Sequence, residues 1–115
     1  MIALLYIPIL LILAWYNCRL IAEGRRIYHA LNGLLHISVA AGVWYLAGWQ
    51  AGIAVLFIAR VVFDSALNLM RDLPIDYVSP NPKSKVDQFE KWLFRGNGLI
   101  PKIVYLIAII LLLSL

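Results

Sequence analysis

The sequence predicts an all-α integral membrane protein of four short transmembrane helices, with an interfacial amphipathic helix between the third and the fourth. Three observations predict it. Of 115 residues, 63% are hydrophobic and 14% charged, against roughly 45–50% and about 25% in soluble domains. A soluble chain of this size buries only roughly 60–70% of its unfolded surface, so lipid has to cover the remainder. Basic residues also gather in two connectors between apolar runs, as the orientation rule for membrane proteins requires. The length fits one four-span domain, residues 1–115.

The first span covers about residues 1–20, and about 20 residues cross a hydrocarbon core of roughly 30 Å. No basic residue precedes it, and Asn17, Cys18 and Arg19 follow where a signal peptide carries small residues, so an uncleaved span is expected. The lone Cys18 permits no intramolecular disulfide and no cysteine metal cluster. The second span, about 27–48, carries His29, Asn32 and His36 and ends in the aromatic group Trp44, Tyr45 and Trp49. The third, about 51–70, contains Arg60, Asp64 and Asn68. The fourth, about 99–115, is almost wholly apolar, with Pro101 in its first turn and Lys102 placed to snorkel toward the interface.

Charge sets the orientation. Arg19, Arg25 and Arg26 lie in the first connector, and Arg71, Lys83, Lys85, Lys91, Arg95 and Lys102 in or beside the long one. The turn between spans two and three and both chain ends carry no charged side chain. In a four-span topology both basic connectors fall on one side, which is then cytoplasmic, with the N- and C-termini outside. The plasma membrane or a bacterial inner membrane is the expected setting. The net charge of +4 reflects these connectors, so no nucleic-acid partner is expected. Anionic lipids of the inner leaflet suit them.

Within the long connector, Pro74 and the Ser79-Pro80-Asn81-Pro82 segment interrupt helix formation. Ser84, with Asp87 three residues on, resembles a capping box. Val86, Phe89 and Leu93 recur at i, i+3 and i+7, with Trp92 and Phe94 widening the apolar side. This predicts the interfacial helix at about 84–95, ended by Gly96-Asn97-Gly98.

The candidate site lies on spans two and three. Arg60, Asp64 and Asn68 are spaced i, i+4, i+8, with Arg71 extending the stripe. His29, Asn32 and His36 share one face of the second helix, where Gly33 and Ala40 are expected to allow close approach. The two helices are antiparallel neighbours, so rise per residue sets His36 level with Arg60, Asn32 with Asp64 and His29 with Asn68. Three facing polar rungs are expected, with Glu23, Asp72, Asp76, Tyr77 and Asp87 at the mouth and spans one and four as apolar walls. Ionised groups at that depth need partners or water.

Such a constellation supports three readings. The first is a cytoplasm-facing intramembrane site that binds or permeates an ion or a small polar or anionic solute. The second is an inner-leaflet enzyme acting on a lipid headgroup, either with a histidine base assisted by Asp64 or with a divalent metal held by His29, His36, Asp64 and Asp87. The third is a scaffold whose polar network only specifies packing. Four helices enclose a small site, so a homo-oligomer, in the first instance a homodimer, is expected for any wider path. No GxGxxG, Walker-type GK[ST], HExxH or GxSxG motif occurs.

Overall fold

Residues 2–25, 29–78 and 85–115 of the chain are described by the computed structural model. The Ser79–Pro82 turn, the Ser84 cap and the first two residues of the second span lie outside them. The described residues form helices joined by turns, with no strand among them. A 3-10 turn, Ile2–Leu5, leads into α1 (Tyr6–Ala22). There follow α2 (His29–Ala47), α3 (Trp49–Met70), α4 (Lys85–Leu93) and α5 (Leu99–Ser114). Three segments, Ile2–Ala22, His29–Ala47 and Trp49–Met70, are long and apolar enough to cross a membrane. The fourth apolar helix, α5, is shorter at 16 residues.

The third helix is the hub, with α1, α2 and α5 all packed against it. The reason is a difference in side-chain size and spacing. On α3, Ala51, Ala54, Val55, Ile58 and Ala59 are buried and mostly small. Ala3 of the 3-10 turn and Tyr6, Leu10, Ala14, Asn17 and Leu20 of α1 are buried at steps of three or four, the stripe that a helix presents to one neighbour. Most other large side chains of α1 and α2, such as Leu5, Ile12, Leu31, Leu34 and Ile37, face outward, as the lipid-facing side of a membrane helix does.

Helices α2 and α3 are joined through the single residue Gly48, whose φ of +98° is open to glycine and strained for other residues. Their close contact is made at Gly52. A Cβ there would lie 2.7 Å from Trp44 Cβ and 2.9 Å from the Ala40 carbonyl oxygen. Gly33, the sequence candidate for close approach, has no atom within 4 Å of the position its Cβ would take. It faces open space, because the helices meet nearest to their connecting turn and spread toward the other end.

That spreading divides the bundle by height. The apolar core, Tyr6, Leu10, Val43, Val55, Ile58 and Ile109 with their neighbours, lies toward the α2–α3 turn. The opposite end holds the charged connectors. There α3 closes in a Schellman motif, with Asp72 in the left-handed region (φ +58°), Asp72 N–H donating to the Leu69 carbonyl at 3.1 Å and Leu73 N–H to that of Asn68 at 2.9 Å. The helix therefore stops four residues before Pro74. At the start of α5, Asn97 Oδ1 accepts from the N–H groups of Leu99 (2.9 Å) and Ile100 (3.0 Å), so the cap is this asparagine side chain.

If the α2–α3 contact depends on Gly52, Gly52→Ala forces the helices apart and costs about 1–3 kcal/mol, the usual range for overpacking. Gly42→Ala, at an open position of α2, should leave stability unchanged or slightly raised. Thermal unfolding of both variants in one detergent checks this, and equal melting temperatures would contradict it.

Candidate functional site

Arg60 projects from the middle of α3. Its Cα is ten residues from Met70, about 15 Å along the helix from the connector end. An ionised guanidinium at such depth needs counter-charge at hand. It receives more than the sequence stripe offered. Arg60 Nε donates to Glu90 Oε2 at 2.5 Å, and a terminal nitrogen of the same fork donates to Asp87 Oδ1. Asp64, the residue predicted as partner, is the more distant contact at 3.9 Å. The i to i+4 step in the order Arg-then-Asp is the less favourable helix direction, whereas Asp87 and Glu90 approach from another helix without that constraint.

Asp64 is held from elsewhere. Lys102 Nζ donates to Asp64 Oδ2 at 2.5 Å. Lys102 was expected to snorkel outward, yet it is only 8% exposed. The first turn of α5 sets its ammonium beside Asp64, and that close pairing takes the place of escape to the interface. Tyr105, one turn further along α5, stacks on Phe57 with centroids 5.4 Å apart and closes the far side of the cluster.

The short helix α4 is turned the opposite way from a buried amphipathic helix. Glu90 is only 9% exposed and faces the bundle, while Val86, Phe89, Trp92 and Leu93 are exposed on the outer side. Phe89 and Trp92 pair there with ring centroids 6.1 Å apart. The carboxylates of α4 are therefore drawn into the end of the bundle and its apolar side chains point away from it.

The second-helix stripe does not meet the third-helix stripe in facing rungs. His36 Nδ1 lies 2.7 Å from the Tyr6 hydroxyl, and its ring stands edge-on to Phe63 at 6.0 Å. Asn32 Nδ2 donates to Asn17 Oδ1 at 3.1 Å, and Asn17 Nδ2 in turn donates to the Leu13 carbonyl at 2.9 Å. Both bridges tie α2 to α1. The first helix is thus more than an apolar wall, because Tyr6 and Asn17 sit on its buried stripe. Asn68 turns to the connector and donates to the carbonyls of Ile75 (3.1 Å) and Tyr77 (3.2 Å). It pins that segment under α3. Among the described residues, His29, His36, Asp64 and Asp87 are not gathered into a set able to hold a metal. Asp64 and Asp87 face cations instead.

What does join the stripes is open space. A cavity of about 320 Å³ lies among α3, α4 and α5, lined by Arg60, Asp64, Glu90, Lys102, Arg71 and Lys91 among others. A second, of about 430 Å³, lies between α2 and α3 under the start of α4. Its lining is mainly apolar, with Gly33, Ile37, Leu56, Phe57 and Phe63, but it also includes Asn32 and His36. His29, Arg60, Asp64, Asp87 and Tyr105 line both. Each volume falls in the range of small-molecule sites.

Glu90 was missed as a site residue in the sequence. The signal was present, since Asp87 and Glu90 at i and i+3 share one face of α4. Comparison of the chain with protein-family models, with curated proteins and with solved structures gives no match.

The Asp64–Lys102 pair generates a stability prediction. Removing one member leaves the other charged and largely buried, so Lys102→Met or Asp64→Asn alone should cost about 3 kcal/mol, the lower end for buried pairs because Asp64 retains some exposure. The double variant should recover most of that loss. Chemical unfolding in detergent checks it, and additive losses would show that the two side chains do not depend on each other.

Proposed function

We propose that this chain is a four-span membrane protein whose polar site, open toward the cytoplasm, binds a small anionic solute or group. In this reading α5 is the fourth span, and α4 lies at the inner interface with Phe89 and Trp92 against lipid. The polar cavity then lets water and lipid headgroups reach the ion-paired side chains from the connector end.

The observation that carries the reading is the Arg60 fork. Arginine presents planar, directed donors that match carboxylate and phosphate oxygens. Here those donors are held well inside a span and engaged by carboxylates from a nine-residue helix. Four cationic side chains, Arg60, Arg71, Lys91 and Lys102, line the polar cavity beside three carboxylates, Asp64, Asp87 and Glu90. Two of those three belong to α4. Lys91 belongs to α4 as well, so withdrawal of α4 leaves three cations, Arg60, Arg71 and Lys102, with Asp64 as the remaining acid. Asp87 and Glu90 therefore occupy the place that an anionic ligand would take.

Binding is tested with the purified protein and inorganic phosphate at constant ionic strength. Phosphate should raise the melting temperature, and Asp87→Asn with Glu90→Gln should strengthen its binding by releasing the fork. At a ligand concentration of 100 times Kd the stabilisation amounts to about 2.7 kcal/mol. If the double variant loses binding, or sodium or potassium stabilises the native protein in place of phosphate, the carboxylates are themselves the ligand groups and the site takes a cation.

Orientation has its own test. In a Cys18→Ala background, Lys85→Cys should react with a membrane-impermeant maleimide only after permeabilisation, and Ala47→Cys with intact cells. The reverse pattern places the connector end outside.

A further inference from the structure

The two cavities differ in chemistry and meet at Arg60. The polar one opens at the connector end, where Arg71 and Asn97 in its lining are exposed. The apolar one opens through the side of the bundle, since Ile37, Leu56 and Val86 of its lining are exposed large hydrophobic residues. In a membrane that side faces acyl chains. A ligand that filled only the polar cavity would leave the apolar one unexplained. A wholly apolar ligand in the apolar cavity would leave the charges of Arg60, Asp64 and Asp87 on its wall without a counterpart.

We infer that the anionic group is the headgroup phosphate of a membrane lipid, bound beside Arg60 and Lys102 with an acyl chain in the apolar cavity. The inference rests on the anion reading above and names its source. Charge complementarity selects the phosphate, because moving α4 aside leaves Arg60, Arg71 and Lys102 facing a single carboxylate, Asp64. Position selects the lipid, because one opening faces the leaflet interface and the other faces hydrocarbon. Entry from the bilayer also suits α4, whose outer face already carries Phe89, Trp92 and Leu93. Moving that helix aside keeps its apolar side chains in lipid throughout.

Gly33 supplies a variant that separates the chain from the headgroup. It lines the apolar cavity and a Cβ there meets no atom within 4 Å, so the side chain of Gly33→Leu starts into open space. The experiment is native mass spectrometry of the full chain in detergent, titrated in separate arms with dipalmitoyl phosphatidate, dipalmitoyl phosphatidylcholine and inorganic phosphate. Phosphatidate should bind about tenfold or more tightly than either of the others, a difference of about 1.4 kcal/mol. Gly33→Leu should remove that advantage over inorganic phosphate and leave phosphate binding unchanged. Arg60→Gln should abolish both. Arg60→Lys, which keeps the charge and loses the fork, should weaken both and serves where the glutamine variant does not fold.

If phosphatidate binds no tighter than inorganic phosphate and Gly33→Leu has no effect, the lipid inference is overturned while the anion site stands. If neither phosphate nor phosphatidate binds the native chain, both fall. Equal binding of phosphatidylcholine and phosphatidate, indifferent to Arg60, would show that acyl chains enter the apolar cavity without headgroup recognition, and would also overturn the inference.

Discussion

A guanidinium inside a membrane helix is the constraint around which the connector end of this bundle is arranged. Transfer of an ion from water to a low-dielectric interior costs several kcal/mol even after relaxation, and arginine does not escape that cost by losing its proton. Arg60 therefore has to be surrounded. Asp64 on the same helix is within reach but not at bonding distance, and it carries a desolvation cost of its own. Each acid brought in to serve the arginine then needs a cation. Lys102 answers Asp64, while Asp87 and Glu90 complete the shell of Arg60. The chain of compensation reaches from α3 to α5 and to a helix that neither crosses the bundle nor shares its core.

The two ends of the bundle accordingly hold together by different physics. Toward the α2–α3 turn the contacts are close-packed and apolar, with small residues at the approach of α2 to α3. That packing places α3 firmly. It also fixes the depth of Arg60 and so the level at which counter-charges are required. Away from the turn, side-chain hydrogen bonds tie α2 to α1, His36 to the core residue Tyr6 and Asn32 to Asn17. Side-chain hydrogen bonds between membrane helices are worth roughly 0.6 kcal/mol on average, so these bridges set which faces meet more than they supply stability. The fourth helix is the extreme case. Nine residues are too few to be stable alone, its apolar face is turned away from the bundle, and Asp87 and Glu90 bond it to Arg60 of α3.

This division explains which parts of the structure were legible in the sequence. Apolar run length fixed the helices, because a span must be long enough whatever it packs against. Polar side chains inside such runs marked the charged end, because their cost is visible without a partner. Partner choice was not legible. Matching Arg60 to His36 and Asn32 to Asp64 by depth assumed that α2 and α3 turn their polar stripes toward each other, and depth carries no information on rotation about a helix axis. Tyr6 and Asn17 settle the rotation of α2, and they look unremarkable in a first span that reads as an apolar wall. Glu90 was hidden by its setting. On a connector helix an acid reads as a solvated surface group, and only its three-residue spacing from Asp87 indicated a shared face.

The placement of counter-charge has a consequence for how the site operates in the proposed reading. Had the acids that neutralise Arg60 been on a spanning helix, they would be fixed, and the arginine would be a structural element. On α4 they are detachable. Opening of a short element with few apolar contacts to the rest lies at the low end of the local stability scale, and its cost here is chiefly that of baring the fork. A ligand that brings its own negative charge removes that cost, so ligand binding and release of α4 are two faces of one equilibrium. Linkage makes the coupling reciprocal: whatever weakens the hold of Asp87 and Glu90 on Arg60 raises the affinity for the anion by the same factor. The arginine that makes the fold expensive thereby sets the affinity of the site, and the strength of its internal ion pairs sets the threshold that any ligand must exceed.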